Sequence, residues 1–103
     1  MSKLQDLLTV MYRDASQRAQ VPQKRKLKSG LHVSLTCHSK GCTLIISRDN
    51  VYPSAKEFET CINHFPYFAG KVEPRQIIDS DRRFALIGEI PKREAIAQQM
   101  KFE

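Results

Sequence analysis

From Leu31 to His38 the side chains alternate without a fault. Leu31, Val33, Leu35 and Cys37 are apolar, and His32, Ser34, Thr36 and His38 stand between them. A period of two over eight residues belongs to a strand with one buried face, because successive side chains leave an extended backbone on opposite sides. Ser39-Lys40-Gly41 supplies a turn, and Cys42 to Ser47 returns as a second strand rich in β-branched residues. A lone hairpin is barely stable in water, so its apolar row must find a cover. A Lys40-Gly41 loop sets Cys37 opposite Leu44 and Leu35 opposite Ile46. A bulged three-residue turn instead sets Cys37 opposite Thr43. The first register buries more and is the expectation.

Two helices can provide the cover. Leu4, Leu7, Leu8, Met11 and Ala15 recur at the three-and-four spacing of one helical face. Ser2 and Gln5 have the spacing of a capping box, and Pro22 disfavours helical geometry at Val21, so this helix is expected to run to about Gln20. The second helix announces itself at Ser54-Ala55-Lys56-Glu57: Ser54 caps it, Glu57 reaches back, and Pro53 can staple against Phe58. Phe58, Cys61, Ile62 and Phe65 give it a buried stripe, and Pro66 stops it. A second hairpin follows, with Arg75 to Ile78, a turn at Asp79-Ser80-Asp81, and Arg82 to Ile90. Phe84, Leu86 and Ile90 share one face of its second strand. Pro91 suits the first position of a C-terminal helix with Ala95, Ile96 and Met100 on its apolar side. The predicted fold is a single α+β domain over residues 1–103, with the order α-ββ-α-ββ and helices packed on one face of an antiparallel sheet.

Charge is distributed less evenly than hydropathy. The first thirty residues hold seven basic and two acidic residues, and so five of the six net positive charges. Four of them, Lys24, Arg25, Lys26 and Lys28, stand in a segment (22–30) whose self-repulsion predicts a flexible arm. Arg13 and Arg18 on the first helix, with Arg82 and Arg83 near the second turn, extend the patch. Lys and Arg in excess attract phosphates, so the expected partner is a nucleic acid, DNA or RNA, held through its backbone. Few aromatic residues interleave with these charges, which gives stacking on bases little support. An acidic protein surface is the alternative partner, and a homodimer falls within that reading. Tyr52, Phe65, Tyr67 and Phe68 are its candidate anchors.

Enzymatic and metal chemistry find less support. Cys37, Cys42, Cys61 and His64 form C-x4-C-x18-C-x2-H, which could deliver four zinc ligands from a hairpin and a helix. Cys37 and Cys61 also continue apolar rows, where cysteine behaves as a small hydrophobe, so buried thiols and no metal are expected. The pairs Cys42–His38 and Cys61–His64 would need a third group to orient the base, and short spacing alone does not bring such a set together. Asp79 and Asp81 with Asp14 or Glu89 could suggest a carboxylate site, but turn chemistry explains the two aspartates. No phosphate-cradling glycine loop, G-x-S-x-G or H-E-x-x-H occurs. The expectation is a non-enzymatic protein without a cofactor. No run of about 18 apolar residues occurs and no secretory signal is evident, so a cytoplasmic location with reduced thiols and no membrane contact is expected.

One stretch has a counterpart in a known family. Ile45 to Phe65, a strand, a polar bend, the Ser54-Ala55-Lys56-Glu57 start and an amphipathic helix, resembles part of the arm-binding domains of phage-type integrases. That resemblance implies DNA binding through a basic sheet face. Leu31 to Gly70 departs from it, with three basic and three acidic residues.

Overall fold

The computed structural model describes residues 3–63 and 72–91. In chain order the elements are α1 (Lys3–Gln17), β1 (Gln23–Lys26), β2 (His32–His38), β3 (Gly41–Arg48), α2 (Ala55–Asn63), β4 (Arg75–Ile78) and β5 (Phe84–Pro91). The five strands make one antiparallel sheet in the order β1-β2-β3-β5-β4. The α+β class is as expected from the sequence, and the sheet gains one strand. The segment expected to be a flexible arm supplies it: Gln23–Lys26 pairs with β2, Lys24 opposite Ser34 and Lys26 opposite His32. As an edge strand its alternate cations reach solvent, and Arg25 and Lys24 meet the carboxylates of Asp14 and Asp81, which relieves the repulsion.

Both helices cover the same face. Leu8, Met11 and Ala15 from α1 and Phe58 and Cys61 from α2 join one core with Leu31, Val33, Leu35, Cys37, Cys42, Leu44, Ile46, Leu86 and Ile90. Each large side chain fully buried here is worth ~1.5–3 kcal/mol over its exposed state. Phe58 sits over Gly88, where a Cβ would come within 2.5 Å of its ring and 2.9 Å of Val72. The glycine therefore makes the hole that the aromatic ring fills.

Several local expectations shift. Helix α1 ends at Gln17, because Gln20 takes a left-handed φ of 67° and its amide donates to the Cys37 carbonyl at 2.8 Å. Ser2 lies outside the described residues, as do His64, Phe65, Tyr67, Phe68 and the C-terminal helix expected after Pro91. Pro91 itself closes β5 opposite Gly41. The β2–β3 register matches neither sequence alternative. Its loop is Ser39-Lys40, with His38 opposite Gly41, Cys37 opposite Cys42 and Leu35 opposite Leu44. Gly41 is drawn into the strand because β5 approaches so closely that a Cβ there would run into the Ile90 carbonyl. Since the shift from the favoured register is by two, Cys42, Leu44 and Ile46 stay on the covered face with Val33, Leu35 and Cys37.

The α2 capping box forms as expected. Glu57 N–H donates to Ser54 Oγ and Ser54 N–H donates to Glu57 Oε1, both at 3.1 Å. Glu57 also takes the Arg48 guanidinium at 2.5 Å, while Arg48 donates to the Ser29 carbonyl at 3.1 Å. One arginine thus ties α2 to the β1–β2 turn.

Candidate nucleic-acid interface

The sheet's second face carries the odd-numbered residues of β3 and β5 and the even-numbered residues of β1 and β2. Among the described residues no helix covers it. Strand alternation therefore divides the basic segment: Lys24 and Lys26 stand on this face, and Arg25 turns to the helix side, where it meets Asp14 at 3.5 Å. On a flat sheet β1 and β5 would lie about 14 Å apart, three strand spacings. Yet Lys24 Nζ reaches Asp81 Oδ2, in the β4–β5 turn, at 3.5 Å. The twisted sheet and this turn together enclose a cavity of about 240 Å³. Ser34, Ile45 and Ser47 line it from the strands, Lys24 and Lys26 from the β1 edge, and Asp79, Asp81 and Arg83 from the turn.

The turn is built by its own side chains. Asp79 Oδ1 accepts from the amides of Asp81 at 2.9 Å and Arg83 at 2.8 Å, and Arg82 adopts a left-handed φ of 62°. This leaves the Asp81 carboxylate for Lys24 and for Arg83 Nη1 at 3.2 Å, while Arg83 Nε donates to Asp49 Oδ1 at 2.9 Å. His32 Nε2 lies 3.7 Å from the same Asp49 oxygen, is buried, and has no hydrogen-bond partner among the described residues. The rim therefore holds cations and carboxylates in alternation around one orphaned polar atom.

The structure divides the eight basic residues picked out from the sequence. Lys24, Lys26 and Arg83 line the cavity, and Arg25 borders it too although its guanidinium pairs with Asp14 of α1. Lys28 and Arg82 sit on the β1–β2 and β4–β5 turns, which lie at the same end of the sheet. Arg13 and Arg18 belong to α1 and its end, on the other side of the sheet, as does Arg25. Lys26, Lys28, Arg18 and Arg82 enter no ion pair among the described residues. The sequence reading missed the acidic partners Asp49 and Asp81 and the cavity's His32. Spacing could not have found them, since the curl of the sheet brings them together.

The zinc arrangement does not assemble from the described cysteines. Cys61 shares a hollow with Leu4, Leu27 and Leu31, and Cys37 one with Ser16, Ala19 and Gln20, at opposite ends of α1. No group of three or more metal-ligating side chains occurs among the described residues. Burial pushes the Cys61 thiol up to about 11, with the Glu57 carboxylate adding to the shift, so it is a poor nucleophile at neutral pH. Asp14 and Glu89 stand apart from the two turn aspartates: Asp14 faces Arg25, and Glu89 accepts from Thr43 at 2.9 Å. Of the aromatic anchors considered for a protein partner, Tyr52 is described, and it packs edge-on against Phe84 at 5.0 Å. No helix among the described residues is long and apolar enough to cross a membrane. The chain matches no family model, no curated protein and no solved structure.

Proposed function

We propose that this chain is a small non-enzymatic accessory protein, cytoplasmic in location, that binds nucleic acid through the phosphate backbone on the second face of its sheet. The observation that carries this reading is the meeting of Lys24, Lys26 and Arg83 around one cavity on that face, with Lys28 and Arg82 on turns at the same end of the sheet. A groove with lysine and arginine on its rim can take phosphates once the paired carboxylates give way. The floor of Ser34, Ile45 and Ser47 offers no aromatic platform, so attachment by charge is favoured over stacking. The Asp81 and Asp49 carboxylates hold Lys24 and Arg83 in place and are displaced as counter-charges when phosphate enters.

Fluorescence anisotropy with labelled single-stranded and duplex DNA and RNA, across a salt series, tests this reading. The quadruple variant Lys24→Ala, Lys26→Ala, Lys28→Ala, Arg82→Ala should lose at least about ten-fold in affinity. Its slope of log affinity against log salt should flatten by about 3 to 4, roughly one per lost cation. Unchanged affinity and slope would remove the assignment.

A further inference from the structure

Beyond that function, the thiols at the far end of the β2–β3 hairpin have a chemistry of their own. We propose that Cys37 and Cys42 are an oxidative modification site, at which hydrogen peroxide closes a cross-strand disulfide. The two residues are direct partners in the ladder, one pair away from the Ser39-Lys40 loop. Both are thiols, buried, with their sulfurs 2.7 Å apart. In a two-residue hairpin the closing pair, His38 with Gly41, exchanges its backbone hydrogen bonds, so the next pair out belongs to the class without them. Such pairs hold their Cα atoms about 4.5 Å apart, within the span a disulfide accepts.

Access distinguishes the two sulfurs. Cys37 lines a cavity of about 320 Å³ with Ser16, Ala19, Gln20, His38 and Ser39, whereas Cys42 is fully buried. Cys37 is therefore the sulfur that meets the oxidant. Its thiolate attacks one peroxide oxygen, the O–O bond breaks, and the departing hydroxide takes up the thiol proton as water, leaving a sulfenic acid. The Cys42 sulfur then attacks the Cys37 sulfur. The S–S bond forms, the S–O bond breaks, and hydroxide leaves with the Cys42 proton as a second water. Two thiols and one peroxide thus give one disulfide and two waters, with two electrons passing to the peroxide. Cys61 lies at the opposite end of α1 with its proton held tightly, so it neither starts nor resolves this reaction. The product joins the strands at a directly opposed pair and fixes the register of the central hairpin.

The native full-length chain is treated with hydrogen peroxide, remaining thiols are alkylated under denaturing conditions, and the protein is digested with trypsin without reduction. Cleavage after Lys28, Lys40 and Arg48 separates residues 29–40 from 41–48. The expected product is these two peptides joined and lighter than their sum by two hydrogens, with Cys61 alkylated. Reduction should part them, and Cys61→Ser should leave the linkage unchanged. Peptides 29–40 and 41–48 recovered separately and alkylated, a sulfinic acid on Cys37, a bond through Cys61, or a bond between two chains would each overturn the proposal. The primary measurement is made on the unsubstituted protein, so it does not depend on any variant folding.

Discussion

The two faces of the sheet are made from the same strands and are held by different forces. On the covered face, Leu31, Val33, Leu35 and Cys37 lie against Cys42, Leu44 and Ile46 under two helices, and all are buried. On the second face, Ser34, Thr36, Thr43 and Ile45 are half-buried, and the chain arranges charge around them. Apolar burial is non-directional and scales with area, so the first face tolerates a change of register by two without loss of its character. The second face depends on distances of a few ångströms between Lys24, Asp81, Arg83 and Asp49, and exposed ion pairs of that kind add little to stability. One face builds the fold, and the other is the face proposed to bind.

Neighbouring residues on β2 test that division with the largest effect. Leu35→Ala should cost about 3 kcal/mol, lost transfer energy plus a cavity beneath α1. Thr36→Ala, one residue on and facing the other way, should stay within about 0.5 kcal/mol. Urea denaturation of both variants makes the comparison. Equal costs would mean that the second face is a core as well.

How far these faces could be read in advance follows from the same physics. The covered face was legible because alternation on β2 and the stripes of Leu8, Met11, Ala15 and of Phe58, Cys61 each express a periodic backbone. The Ser54–Glu57 box was legible because both partners lie within one helical turn. The strand at Gln23–Lys26 was hidden by its charges. It holds its place by pairing with β2 and by two carboxylates outside the segment, Asp14 and the distant Asp81, neither of which leaves a local pattern. The hairpin register failed for a related reason. Gly41 reads as a turn residue, and the close approach of Ile90 that claims it for the strand comes from the other end of the chain. Of the candidate interface, the cations were visible as composition, and their division between two faces was not.

A smaller effect is expected where charge does contribute to the fold. Burial alone would raise the Glu57 carboxyl, but hydrogen bonds from Arg48 and Ser54 and the Arg48 charge outweigh it, so the net shift is downward from 4.5. A group whose pKa is depressed in the folded state contributes stability that is present above its unfolded value. That stability is lost as pH falls through the folded value. Glu57→Gln should therefore cost about 1 kcal/mol at pH 7, reduced from a buried pair's worth because the Glu57 side chain is 35% exposed. The gap between variant and parent in urea midpoint should narrow as pH drops below 4.5. A gap that stays constant to pH 3 would mean that the helix cap, and not the carboxylate's charge, sets the cost.

The smallest expected change in stability falls on the second face, at Asp81. Its carboxylate is 46% exposed and meets Lys24 at 3.5 Å and Arg83 at 3.2 Å, so Asp81→Asn should move the urea midpoint by an amount equivalent to less than about 0.5 kcal/mol. The turn is held by Asp79, which keeps both of its amide bonds. Yet the substitution removes the negative charge that sits between two cations of the proposed groove. Affinity for a nucleic acid should rise several-fold at low salt, and the slope against log salt should steepen by about 1 as one more counterion is released. The same substitution is thus nearly silent for the fold and audible in binding. A variant that loses stability while binding stays unchanged would reverse the assignment of the two faces, because the rim charges would then be structural.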